Sequence, residues 1–399
     1  MEYKVSKKAN ITTITLIVLG LVAFLTGLYT SHGHTSQRLW ANLLVNGYFF
    51  FGISLASLFF VALQYIAEMA WGVTTQRVFQ ATLAFMPISA LALILVFLGG
   101  TLHWNHIYHW MAEGVTDPAS HHYDKIIAGK SGYLNQTFFW VRTIMYFGVW
   151  MFFANWFVKK SKEEDELTGD SAPLYKKKVF MGVLFVAFFA YTSSSSAWDW
   201  LMSIDVHWFS TMYGWYAFSG MFVSCIIVAL LLTLYLKSLG YLKEVNDSHI
   251  HDLGKWTFAT SMLWSYIWFS QFMLIWYSNI PEEVTYYLER FNDYRGLYLG
   301  TFFVNFALPF FVLMSRDAKK NVVFLLPVAL IIFFTHWLDV LIMVLPGTMH
   351  DHGSLGFIEI GMFLMFLGAF IMVTLRALSK SPLMPKNHPM YDESIHLHT

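Results

Sequence analysis

The sequence predicts an all-α integral membrane protein of about ten transmembrane helices, and three observations carry that prediction. Of its 399 residues 57% are apolar and only 13% charged, against roughly 25% charged in soluble domains. Apolar stretches of about 20 residues, long enough to cross a hydrocarbon core as a helix, recur along the whole chain. Basic residues gather in alternate connections, as they do when loops face opposite sides of a membrane.

The first apolar run, 11–29, ends in Leu28-Tyr29 without a small-residue cleavage site, so it reads as a retained helix rather than a signal peptide. Further spans are expected at 43–67, 79–100, 137–157, 179–197, 212–236, 257–280, 297–314, 322–345 and 358–378. With the N-terminus inside, nineteen of the 25 basic residues fall in inside segments. Both termini are therefore expected in the cytoplasm. The chain reads as one transmembrane domain, 1–399. Residues 43–158 with the span at 179–197 form a first group and 212–345 a second. A charged segment at 159–178, with six lysines, is expected to be a solvated cytoplasmic linker, and 379–399 a cytoplasmic tail.

Composition also excludes. Basic and acidic residues number 25 each, so no net field draws the chain to nucleic acid. Cys225 is the single cysteine, which rules out an intrachain disulfide, a thiolate iron–sulfur cluster and CxxCH haem attachment. His336 alone lies deep in a span, too few for bis-histidine haem. His103, His106 and His109 recur every three residues in a stretch that looks helical, but they offer an incomplete ligand set, so no metal site is expected.

An ionisable group inside a span is costly and therefore a functional candidate. Thr335-His336-Trp337-Leu338-Asp339 places an imidazole and a carboxyl three residues apart on one helical face, each expected to favour the other's charged form. They suit a proton relay, a hydrogen bond to a quinone, or a structural link between helices. Glu359 is near enough in depth to join them, or is an exposed boundary carboxylate. Gln64 and Glu68 lie near the inner end of the second span and Asn46 near its outer end. Thr192 to Ser196 lead to Asp199, their hydroxyls serving either a hydrated path or close helix packing. Glu68, Asp199, His336, Asp339 and Glu359 are thus the proton-transfer candidates. Pro87, Pro309 and Pro327 interrupt three spans, a feature of ordinary membrane helices and of transporter sites alike.

Two outer segments are more specific: Ala197-Trp198-Asp199-Trp200-Leu201-Met202-Ser203-Ile204-Asp205-Val206-His207-Trp208-Phe209-Ser210-Thr211, and Gln271-Phe272-Met273-Leu274-Ile275-Trp276-Tyr277-Ser278-Asn279-Ile280-Pro281-Glu282-Glu283. They resemble the signature segments of the second large membrane subunit of bacterial alternative complex III, a quinol:electron-acceptor oxidoreductase. That subunit resembles the polysulfide-reductase membrane subunit (NrfD-like family). The resemblance implies two four-helix bundles, spans two to five and six to nine, flanked by the first and last helices. It implies a paralogous ten-helix quinol-binding membrane subunit, an iron–sulfur protein, multihaem and monohaem cytochrome c subunits and, as an optional partner, a terminal oxidase. Menaquinone or ubiquinone, c-type haem and iron–sulfur clusters would all sit on partner subunits, with no cofactor bound by this chain.

The expectation is a non-redox subunit of a quinol:cytochrome c oxidoreductase complex, acting as a scaffold, in proton translocation, or as both, and not catalytic alone. Trp198, Trp200, Asp205, His207, Trp208, Trp276, Glu282 and Glu283 are candidates for docking the outer redox subunits, and the helices for holding membrane lipids. Interfacial anchoring is the competing reading of Trp104, Trp110, Trp198, Trp200, Trp208 and Trp215. A purely structural subunit and a stand-alone secondary transporter are the alternatives.

Overall fold

The computed structural model describes residues 3–30 and 35–398; Thr399, the end of the expected tail, lies outside the described residues. Helix α1 (Lys7–Thr30) leads to α2 (Thr35–Ile66). The next span is broken into α3 (Gln76–Thr82), a 3-10 turn (Leu83–Phe85) and α4 (Met86–Thr101). Pro87 sits in the first turn of α4, where its missing N–H is tolerated. Ser54 Oγ of α2 donates to the Thr82 carbonyl at the break, 2.9 Å away.

A long connection containing α5 (Lys125–Lys130) precedes α6 (Gln136–Glu166) and α7 (Ala172–Trp200). Then come α8 (Met212–Ser238), α9 (Asp247–Ser278), the amphipathic α10 (Pro281–Asp293), α11 (Arg295–Leu313), α12 (Val322–Met349), α13 (Phe357–Leu378) and α14 (Tyr391–Ile395). The described residues contain no extended sheet.

Among the described residues, nine helices are long and apolar enough to cross a membrane, α3 and α4 counting as one. The remaining expected span, 257–280, the seventh in order, is the helix α9. It has the length, at 32 residues, but Thr257, Thr260, Ser261, Ser265, Tyr266 and Gln271 dilute its apolar content below that of the nine. The outward face of α1 is continuously apolar, with Ile11, Ile14, Val18, Val22 and Leu25 each more than half exposed. A water-facing helix rarely carries such a stripe, whereas lipid is a matching solvent for it.

The most buried helices are α2, α8 and α12. Helix α2 packs on α4, α7, α8, α12 and α13; α6 closes against α7 and α4, while α9 and α11 close against α8 and α12. Helix α1 is held almost wholly by α13. At their crossing the backbones touch, since a Cβ on Gly20 would lie 2.6 Å from the Gly361 carbonyl oxygen. One on Gly361 would lie 2.5 Å from the Phe24 amide nitrogen. Close backbone approach through small residues is how helices gain contact area in lipid.

The charged segment expected as a solvated linker at 159–178 is mostly helix, with a short exposed connection at 167–170. Helix α6 runs on to Glu166 and α7 starts at Ala172, because Lys160, Lys162, Glu163, Glu164 and Glu166 are good helix formers with a Lys160–Glu163 pair on one face. Lys178 and Glu164 form a fully buried ion pair at 2.5 Å. The tail folds back over this end. Asn387 Nδ2 donates to the carbonyls of Glu164 and Leu167 (3.0 and 2.7 Å), and the His388 ring packs between Tyr65 and Tyr175.

Candidate functional site

The centre of the α8, α9 and α12 packing holds a polar group in apolar surroundings. Asp339, 3% exposed, accepts hydrogen bonds from the Tyr216 hydroxyl of α8 and from Trp264 Nε1 of α9, the latter at 3.1 Å. His336 lies one turn earlier on α12 and is 1% exposed. The expected His336–Asp339 pairing does not form: Asp339 takes its donors from neighbouring helices, and neither His336 ring nitrogen has a hydrogen-bond partner among the described residues. The imidazole meets the Trp264 ring edge-on, centroids 5.0 Å apart.

His336 and Asp339 instead line one small cavity of about 10 Å³, together with Ser224 and with Tyr48, whose hydroxyl is also unpartnered. That is room for about one water. On the other side of Tyr216 a second cavity of about 10 Å³ is lined by Gln271, Tyr286, Tyr287 and Tyr298. Beyond Tyr286 the buried Arg290 of α10 stacks on the Tyr286 ring and donates to Asp205 Oδ2 at 3.3 Å. Polar groups thus lead from His336 toward the face bearing the loop 201–211. In the opposite direction α9 presents Ser261, Thr260 and Thr257. Thr257 and Thr260 bond to their own helix's carbonyls, whereas the Ser261 hydroxyl has no partner among the described residues.

A second cluster lies between α6 and α7. Asp199, fully buried, receives a forked pair from Arg142, Nε to Oδ2 and Nη2 to Oδ1 both at 2.8 Å. Tyr146 bridges Asp199 Oδ2 (3.2 Å) and Ser195 Oγ (2.8 Å). The guanidinium carbon is 3.9 Å from the Tyr133 ring centroid and 4.2 Å from that of Phe138. The carboxylate is therefore neutralised, and the hydroxyls Thr192 and Ser195 accept from Trp150 and Tyr146 of the facing helix.

Glu359 neither joins His336 and Asp339 nor lies exposed. Arg38 of α2 forks onto it (Nε to Oε1 2.7 Å, Nη2 to Oε2 2.6 Å), Asn42 donates to Oε1 at 2.8 Å, and the Gly356 amide donates to Oε2. Asn42 and Asn46 follow at intervals of four along α2, and Asn46 accepts from Trp337 Nε1 at 3.1 Å. This stripe is readable in the sequence as Arg38, Asn42 and Asn46, one helical face, although Asn46 alone stood out. Glu68 lies apart, exposed just past α2 with a positive φ of 47°.

The outer candidates divide. Trp200 and Trp208, 1% and 4% exposed, are core residues and not docking surface. Trp200 stacks on Phe147 and donates to Thr143 Oγ1, while Trp208 stacks on Tyr286 at 4.0 Å and donates to the Glu283 carbonyl. Trp110 is buried too, so interfacial anchoring does not describe it. Trp198 and Glu283 are half-buried, and Asp205 is engaged by Arg290. Trp276, Glu282, Trp104 and Trp215 are exposed. His207, also exposed, bonds Asp124 at 2.6 Å, which holds that carboxyl below its ordinary pKa range.

The stretch with His103, His106 and His109 is irregular, with only a 3-10 turn at His109–Met111, so the expected helical face is absent. Among the described residues no three His, Cys, Asp or Glu side chains are grouped as a metal site. Compared with known families and with curated proteins, the sequence matches no family model and no curated protein.

Proposed function

We propose that this chain is an integral membrane subunit of a quinol:electron-acceptor oxidoreductase complex of the alternative complex III type, with proton transfer through its second helix group. The observation that carries the proposal is the buried Asp339, bonded to Tyr216 and Trp264, beside the unpartnered His336 in a cavity of water size. A carboxyl, a phenol, an imidazole and space for a water are what a proton relay needs. The line through Gln271 and Tyr286 to Arg290 and Asp205 favours exchange with the face opposite the termini. By the distribution of basic residues that face is the outer one and the termini are cytoplasmic.

In this reading α2 to α7 and α8 to α12 are the paired four-helix bundles, flanked by α1 and α13, with α9 as the seventh of ten spans. The redox metals and the quinone sit on partner subunits, and Trp276 and Glu282 belong to a docking rim for the outer ones. A scaffold role without proton transfer is the second reading, favoured by the neutralised pairs Arg142–Asp199 and Arg38–Glu359, which tie helices together.

Gentle extraction from the native membrane, mass spectrometry of co-purifying chains and a reduced-minus-oxidised spectrum test the assignment. Co-elution with c-type haem proteins, an iron–sulfur protein and a second ten-helix chain is expected. Elution alone, without haem absorbance, would contradict it and favour a stand-alone transporter.

A further inference from the structure

A cavity of about 210 Å³ opens where α3, the end of α6 and the end of α13 meet, on the face that carries the tail. Its apolar lining includes the small side chains of Ala81, Ala84, Ala154 and Ala377. Its rim is cationic, formed by Arg77, Lys162 and Lys380 with Gln80 beside them. Arg77 and Gln80 are each 5% exposed. Arg77 donates Nη2 to Asp165 at 2.6 Å and Nη1 to Gln80 Oε1 at 3.3 Å, which turns the Gln80 amide nitrogen away from it. Two buried donors are left over, Arg77 Nε and Gln80 Nε2, neither with a partner among the described residues.

Unmet donors in a buried position cost free energy and make the wall that carries them electropositive, so the natural complement of the cavity is an anion. Three cations stand against one carboxylate, Asp165, and that carboxylate is already taken by Arg77 and by the Lys386 amide. Among the described residues Lys162 and Lys380 make no ion pair. The missing group is therefore an anion with several acceptor oxygens and an apolar continuation.

We propose that this cavity binds the phosphodiester headgroup of an anionic glycerophospholipid of that leaflet. Lys162 and Lys380 would pair with the phosphate, Arg77 and Gln80 would present an electropositive wall to it, and the start of an acyl chain would lie over the alanines. Basic pockets between membrane helices at the cytoplasmic edge suit such headgroups. Free phosphate shares the charge and the acceptors but not the apolar part.

The test is native mass spectrometry of the delipidated full-length chain, titrated separately with dioleoyl phosphatidylglycerol, dioleoyl phosphatidylcholine and inorganic phosphate. Phosphatidylglycerol is expected to give a tightly held one-to-one adduct, weakened about thirtyfold in Lys162→Gln/Lys380→Gln. Lys176→Gln/Lys177→Gln, which removes two charges elsewhere on the same face, should leave it unchanged. Ala154→Trp, which fills the cavity from a buried lining position, should abolish the adduct while Lys162, Lys380 and the ion pairs remain. Equal retention of phosphatidylcholine, equal weakening by both lysine pairs, or an Ala154→Trp chain that binds normally would overturn the proposal. So would phosphate binding that phosphatidylglycerol does not displace.

Discussion

Asp199 illustrates what a charge inside this fold requires. Its carboxylate is fully buried, and Arg142 meets both oxygens from the facing helix in the fork geometry that suits a guanidinium. Breaking such a pair from one side leaves an uncompensated charge, whereas removing both partners does not. Arg142→Leu is therefore expected to destabilise the protein by about 3–5 kcal/mol, and Arg142→Leu/Asp199→Leu by clearly less. Thermal unfolding of the detergent-solubilised variants checks this, and a double variant as unstable as the single one would refute it. The sequence marks Asp199 as ionisable and in a span, yet names no partner, because Arg142 lies 57 positions away. The same holds for Glu359, whose partner Arg38 is 321 positions distant. By contrast Arg38, Asn42 and Asn46 share a face at a spacing of four, so that stripe is legible without coordinates.

At the scale of elements, hydrophobic periodicity locates the long helices well, since lipid and core both demand apolar runs. It misjudges their ends. Helices α6 and α7 continue well past the apolar stretch because lysines and glutamates there are helix formers whose charges pair. It also misses that the third span is broken, although Pro87 marks the place. The pairing of α1 with α13 rests on backbone contact at Gly20 and Gly361 and belongs to this scale. Gly361→Leu cannot be accommodated without separating the two backbones, an overpacking cost of about 1–3 kcal/mol. A cross-link between cysteines placed on α1 and α13 should lose most of its yield in Gly361→Leu, and an unchanged yield would show that the crossing does not need glycine.

At the scale of the whole molecule, the tail closes the face that bears the termini. His388 is 5% exposed between Tyr65 and Tyr175. Burial first, and the nearby Lys178 ammonium second, push its pKa down to about 3. The undocked imidazole, with an ordinary pKa near 6.5, takes up a proton as pH falls below that value while the docked one does not. Docking is thus stable above about pH 6.5 and weakens progressively toward pH 3. Between pH 7.5 and 5.5 the docking equilibrium should fall about tenfold. Glu164 and Lys178 face the same site and Glu68 lies nearby, so the control is His388→Phe, which keeps the ring stack and removes the titration. Hydrogen exchange of residues 379–398 should show the pH dependence in the native chain and lose it in His388→Phe; equal dependence in both would assign it to the carboxylates. Neither the docked tail nor the paired outer loops is written in local sequence, because both depend on contacts made across the folded chain.

The central claim is that Asp339 carries protons for a redox complex, and the assembled complex bearing Asp339→Asn tests it. That substitution keeps the shape, with an oxygen to accept from Trp264 Nε1 and an amide that donates to the Tyr216 hydroxyl, and it removes the titrating carboxyl. With quinol and an electron acceptor supplied, proton release per electron and turnover are recorded together in reconstituted vesicles. The account predicts intact assembly with proton transfer slowed about 10²-fold, as for the loss of a proton-transfer group. Intact assembly with unchanged turnover and unchanged proton release would contradict it, leaving this chain as a scaffold.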